Sequence, residues 1–174
     1  MWQKAKTGTG AYKVVWDTSK LNGMGDITVG CVNLLNVYWE PGVTDIQNSR
    51  YFFHTELYDK DLLEEMYPQL KDKLKGQGFA SAKFLYDDTV NTANKVTVIE
   101  VYYRRWREGK KILHYCKFVG DQVLYSTENE TQPDVDEQGQ VVKPSMAETG
   151  LYDHGDYPYV MDPLYPIEGS PCGY

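Results

Sequence analysis

Basic side chains, cysteine and histidine are all scarce in this chain, and long hydrophobic runs are missing. Eighteen lysines and arginines face 25 aspartates and glutamates, for a net charge of −7. A protein that grips duplex phosphates needs a basic face, so the balance argues against a general nucleic-acid binder. The three cysteines, Cys31, Cys116 and Cys172, are far apart, odd in number and form no CxxC pair. That spacing argues against a disulfide framework or a zinc site. Cys31 and Cys116 sit in apolar, strand-like runs, where a buried thiol is expected to behave as a small hydrophobe. No apolar stretch approaches the roughly 20 residues needed to cross a bilayer. Met1 to Lys6 is cationic but is followed by no apolar segment, so no secretory leader is read there. A cytoplasmic, reducing environment is the default expectation, and the sequon at Asn129 is read as chance.

Tyrosine is abundant instead. Fifteen tyrosines accompany four tryptophans and five phenylalanines. Tyrosine joins a large apolar ring to a polar tip, which suits half-buried sheet surfaces and also subunit contacts. Both uses are open from composition alone.

The spacing of apolar residues predicts an α+β fold, mainly antiparallel β-sheet with a β-meander and one short helix. Ala11–Asp17 is rich in β-formers and closed by turn residues, with Gly8 and Gly10 as a flexible approach. The turn-rich Asn22–Asp26 leads to a long strand from Ile27 to Trp39, with a bend expected near Gly30 or Asn33. Ser49–Leu57 is the next strand candidate. Asp59 or Asp61 can cap a helix whose stripe is Leu62, Leu63, Met66 and Leu70, broken near Tyr67 by Pro68. Lys71–Gly78 is basic and reads as a helix stop. Between Lys95 and Thr127 the alternation is clearest. Val96, Val98, Glu100, Tyr102, Arg104 and Trp106 share one face, and Thr97, Ile99, Val101, Tyr103 and Arg105 share the other. Arg107–Lys110 is a hairpin loop, and Gly120-Asp121 reads as a two-residue type II′ turn.

Composition divides the chain into an α+β domain over 1–127, an acidic flexible loop over 128–150, and an extended Pro/Tyr-rich strap over 151–174 expected to pack on the sheet.

Residues that could carry chemistry do not converge in the sequence. His54, His114 and His154 are widely separated, and His114 shares a strand face with Ile112, Cys116 and Phe118, as a core histidine would. The adjacent acidic pairs Glu64-Glu65 and Asp87-Asp88 cannot face one another across a cleft. Ser145 and Ser170 lack a nucleophile-elbow context. No catalytic, cofactor-binding or metal-binding residue is assigned, no cofactor is expected, and the protein is not expected to be an enzyme. Arg104, Arg105 and Arg107 form a local basic cluster that stands against the acidic whole.

In their order, these segments resemble the portal, or head-to-tail connector, proteins of tailed bacteriophages. The likeness is carried by Gly8–Asp17, by Gly25–Val29 through Asn36–Pro41, by Arg50–His54 and Asp61–Pro68, by Val98–Arg105 with Val119–Leu124, and by His154–Tyr159. The resemblance implies a fragment from the wing region of a longer structural subunit, with long stem helices expected beyond Tyr174. It implies a homo-oligomeric ring, of about twelve subunits in the full-length protein, at the capsid vertex. DNA would be packaged and ejected through it, passing without specific binding. Terminase, capsid and tail-connector proteins would be its partners, no membrane would be involved, and the location would be the virion after assembly in the host cytoplasm. The alternative is an aromatic-rich β module that binds carbohydrate or peptide.

Overall fold

A computed structural model describes residues 2–71, 73–74 and 94–174. The chain runs α1 (Trp2–Thr7), β1 (Thr9–Asp17), β2 (Asp26–Val32), β3 (Val37–Trp39), β4 (Tyr51–Asp59) and α2 (Lys60–Met66). It continues through β5 (Lys95–Arg107), β6 (Lys110–Val119), β7 (Gln122–Ser126), β8 (Asp134–Val135), β9 (Val141–Lys143), α3 (Met146–Thr149) and β10 (Tyr159–Pro163). All registered strand pairs are antiparallel. The α+β class and the meander stand as the sequence predicts, and two further short helices, α1 and α3, join the expected α2.

Two compact units result. Unit 1 holds residues 1–52 with 156–174, and unit 2 holds residues 53–155. This division differs from the split at 127 and 150 suggested by composition. A fall in apolar content marks where the chain is polar, whereas unit boundaries follow contacts. Residues 128–150, expected as a flexible loop, contain β8, β9 and α3, and the Leu151 amide donates to the Leu113 carbonyl at 2.7 Å.

Unit 1 is built on a three-stranded sheet in the order β10-β1-β2. The expected long strand over 27–39 is interrupted at Asn33. Its side chain accepts from the Leu35 amide at 3.1 Å, caps a 3-10 turn over Leu34–Asn36, and so competes with the ladder. Past Tyr157 the proline-rich segment, expected as a strap on the sheet, instead joins the sheet at its edge. Thr9 pairs with Pro163, Ala11 with Met161 and Lys13 with Tyr159. An edge strand tolerates proline because its outer amides need no ladder partner. Gln47 finishes that edge: its amide nitrogen donates to the carbonyls of Tyr157 and Tyr159, and its oxygen accepts from the Tyr157 amide at 2.9 Å. The rings of Phe52 and Tyr159 meet at 4.4 Å, and both side chains are fully buried.

The C-terminal residues return to the start of β1. The Gly173 amide donates to Thr9 Oγ1 at 2.8 Å, and Tyr165 and Tyr174 exchange backbone hydrogen bonds. Gly8 has φ +74°, and a Cβ there would run into the backbone of Tyr174. Its glycine thus answers a close approach rather than a need for flexibility.

Unit 2 is the meander. Strands β4 to β7 lie side by side in sequence order. Glu108 (φ +52°) and Gly109 (φ +76°) both take left-handed conformations, the geometry of a two-residue type I′ turn. Gly120 has φ +58°, which fits the predicted type II′ turn. One face of β5 carries Val96 and Val98, and these pack with Val119, Leu63, Leu70 and Leu74 into a buried core flanked by Tyr58, Tyr67 and Leu124. Leu63 and Leu70 from the predicted helical stripe are buried, but Leu62 and Met66 are about half exposed. Tyr67 leaves the helical region at φ −130°, ψ 81°, because the ring of Pro68 disfavours a helical residue before it. Most of the basic stretch 71–78 and Asp87-Asp88 lie outside the described residues.

Candidate functional site

The most polar place inside unit 2 lies on the same face of β5 as its core. Strand alternation puts Glu100 and Tyr102 in line with Val96 and Val98. Register with β6 sets Tyr102 opposite Tyr115. Glu100 is 7% exposed, His54 2% and Tyr102 3%. The Tyr115 hydroxyl donates to Glu100 Oε1 at 3.0 Å, and the Tyr102 hydroxyl reaches Oε2 at 3.5 Å. His54 Nδ1 lies 3.4 Å from Glu100 Oε2, while His54 Nε2 lies 3.5 Å from Glu56 Oε1. The Tyr58 hydroxyl donates to Glu56 Oε2 at 3.1 Å. An imidazole thus stands between two carboxylates, and tyrosine hydroxyls close around them.

Burial, the Glu100 charge and neighbouring tyrosines push the Tyr115 hydroxyl far above the ordinary tyrosine range. Burial, with the Glu56 carboxylate, raises Tyr58 to about 12. Both phenols are held protonated and serve as donors. A buried carboxylate is stable only if hydrogen-bonded, and this one is. A histidine beside a carboxylate is the kind of pair that acid–base chemistry uses. Here the polar atoms point at one another, with His54 and Glu100 buried and the Glu56 side chain 43% exposed at the edge, so the cluster fastens β4 to β5 and β6. Sequence alternation placed Glu100 on the buried face but gave no means of pairing it with His54, 46 residues away.

The other histidines are held separately. His114 is 3% exposed, with Nδ1 3.2 Å from Thr127 Oγ1, and its ring stacks on Tyr103 at 5.5 Å. Burial lowers its pKa below the ordinary value. His154 stacks on Tyr152. Among the described residues, no three His, Cys, Asp or Glu side chains stand where they could hold a metal ion. The arginines of the basic cluster do not share a face. Arg104 Nε donates to the Gly155 carbonyl at 2.9 Å, whereas Arg105 Nε pairs with Glu128 at 3.0 Å.

A groove of about 410 Å³ in unit 1 runs beside β10 between Asp45, Gln47, Pro163 and Pro171. Its one carboxylate, Asp45, accepts from the Gln47 amide at 2.8 Å, and among the described residues no histidine, cysteine or second carboxylate lines it. Exposed aromatics sit on different elements: Trp16 on β1, Tyr38 on β3 and Trp106 at the end of β5. Cys31, expected to be buried, is exposed, while Cys116 is partly covered. Alternation favours the face of the β1–β2 hairpin that carries Cys31, Val29 and Ile27 as the inward one, but Ala11 and Val32 on the other face are the buried residues.

Antiparallel sheets, a self-satisfied buried polar cluster and broad apolar surface together describe a scaffold module. The family described as Phage P22-like portal protein matches residues 3–167. The chain belongs to that family, and it has a structural role in the phage portal. No curated protein matches it.

Proposed function

We propose that this chain is a wing-region segment of a portal subunit, part of the ring at the capsid vertex through which DNA is packaged and ejected and to which the tail attaches. The observation that carries the reading is the family match over residues 3–167, which takes in both units. The protein is not an enzyme in this reading: its one buried histidine–carboxylate pair serves the fold. Terminase, capsid and tail-connector proteins are its partners, and DNA passes the full-length ring without specific binding. A net charge of −7 supports that last point, because an acidic wall does not retain phosphates. Assembly takes place in the host cytoplasm, and the finished ring resides in the virion.

The test is electron microscopy of the full-length parent protein, with a gel-shift titration of duplex DNA across salt concentrations. Rings with a central channel and no retention of DNA at physiological salt are expected. A parent protein that never forms a ring would refute the reading.

A further inference from the structure

The basic residues of this acidic chain are unevenly placed. Five of its 18 lysines and arginines fall within positions 104–111, beside one carboxylate, Glu108. These positions form the end of the β5–β6 hairpin, where every residue from Arg105 to Lys110 is exposed and Trp106 is 73% exposed. Among the described residues, β7 pairs with β6 only over Cys116–Val119, toward the other end, so at the tip β6 has β5 as its strand partner. Register places Arg107 opposite Lys110 and Trp106 opposite Lys111. Directly paired residues of antiparallel strands point the same way. Arg105, Arg107 and Lys110 therefore lie on one side of the ribbon, and Arg104, Trp106 and Lys111 on the other. Arg104, Arg105 and Lys111 have partners within the chain. Arg107 and Lys110 have no hydrogen bond or ion pair among the described residues, although Glu108 and Glu148 line the same cleft of about 490 Å³. Like charges directly opposite weaken a hairpin. The Arg107–Lys110 pair thus lowers the hairpin's stability and returns no contact within the chain.

We infer that this ribbon end is a docking site for the phosphate backbone of duplex DNA. A two-stranded β-ribbon fits the major groove of B-form DNA, about 12 Å wide. Cations on both sides of such a ribbon reach phosphates on both walls, and an exposed indole beside them packs on sugar or base edges. An acidic protein surface would be met as well by a flat patch, and it gives no reason for cations on opposite sides of a thin ribbon. The rest of the chain is acidic and repels DNA, so the ribbon touches a duplex end-on and weakly. With about two or three phosphates neutralised, affinity falls roughly 10- to 40-fold between ~50 and ~200 mM salt. A contact of this kind does not retain DNA at physiological salt, and it is blind to sequence because backbone contacts carry no sequence information. It goes beyond the portal reading and does not depend on it, since the hairpin carries its own charge.

Fluorescence anisotropy of a labelled, mixed-sequence duplex, titrated with the chain from ~25 to ~200 mM salt, tests the contact. Log affinity should fall linearly with log salt, with a slope of about −2 to −3. Arg107→Gln and Lys110→Gln should each weaken binding about tenfold at ~50 mM salt and reduce the slope by about one. Lys143→Gln, the same loss of charge at an exposed position on β9, should change neither. Trp106→Ala should weaken binding without altering the slope. Lys110→Glu separates binding from folding: it sets opposite charges across the hairpin, so it should raise the melting temperature while abolishing binding. No binding at the lowest salt overturns the inference, as does an affinity unmoved by Arg107→Gln and Lys110→Gln. Tighter binding to a single strand, or equal binding to poly-glutamate, overturns the assignment to duplex DNA. Each of these results leaves ring formation by the full-length protein untouched, so the two readings fail separately.

Discussion

Replacing Tyr115 by phenylalanine removes a single hydroxyl from the centre of unit 2. The ring stays, and with it the packing against Tyr102 at 4.8 Å and Tyr125 at 5.9 Å between centroids. What is lost is the 3.0 Å donor to Glu100. The Tyr102 hydroxyl at 3.5 Å and His54 at 3.4 Å remain, but both are long. A hydrogen bond to a charged group contributes about 1.5–3 kcal/mol, and a nine-tenths-buried carboxylate cannot draw fully on water to replace it. Tyr115→Phe should therefore lower the unfolding free energy by about 1.5–3 kcal/mol. Glu100→Gln keeps the shape but weakens the acceptor, and should cost about 1–3 kcal/mol. If the two groups act on each other, the double variant should cost less than the sum, with a coupling of about 0.5–3 kcal/mol. Guanidinium unfolding followed by circular dichroism and by tryptophan fluorescence gives the three differences. Additivity within about 0.3 kcal/mol, or a neutral Tyr115→Phe, would show that the cluster does not hold the strands as described.

Other outcomes follow from the same geometry. Glu108 occupies a left-handed position in the β5–β6 turn, so Glu108→Asn should raise stability by about 0.4–1 kcal/mol in a thermal melt. Gly150 has φ +80°, and a Cβ there would meet the Leu113 carbonyl at 2.5 Å. Gly150→Ala should thus cost more than about 1 kcal/mol and speed hydrogen exchange at the Leu151 amide. Tyr115 keeps its proton in the fold far above the ordinary value of 10.0, whereas the unfolded chain releases it near that value. Below pH 10.0 this preference is fully present, and above it Tyr115 by itself should lower stability by up to about 1.4 kcal/mol per pH unit, with Tyr58, also raised, adding to the slope. Denaturation monitored by tyrosinate absorbance checks the slope, and Tyr115→Phe should flatten it.

The meander was legible because its signal is local. Alternation from Val96 to Tyr102 needs only the two-residue period of a strand, and the turns at Glu108-Gly109 and Gly120-Asp121 need only residues that accept left-handed backbone. The break at Pro68 is equally local. A bend at Asn33 is legible in the sequence, but whether its side chain takes the Leu35 amide or leaves the ladder intact depends on competing contacts. The candidate site was harder to read. Glu100 looked like a polar residue on an apolar face, and its partners come from β4 and β6, far along the chain. Cys31 differs for another reason: it lies on the more apolar face of the β1–β2 hairpin, with Val29 and Ile27, and the structure leaves that face exposed.

By itself, then, the sequence determined the meander strands, their turns and the helix at Leu63, since each depends on neighbours within a few residues; the expected cap is not made, because Asp59 at the N-cap forms no side-chain hydrogen bond. The ordered resemblance of its segments also points to the portal family. Tertiary structure alone decided the rest. It made a proline-rich tail into the edge strand β10, because a ladder with β1 was available there. It brought His54, Glu100 and Tyr115 together, because strand pairing joins residues that the chain keeps far apart. It left one face of the β1–β2 hairpin in water, because burial is a property of what packs against a strand rather than of the strand.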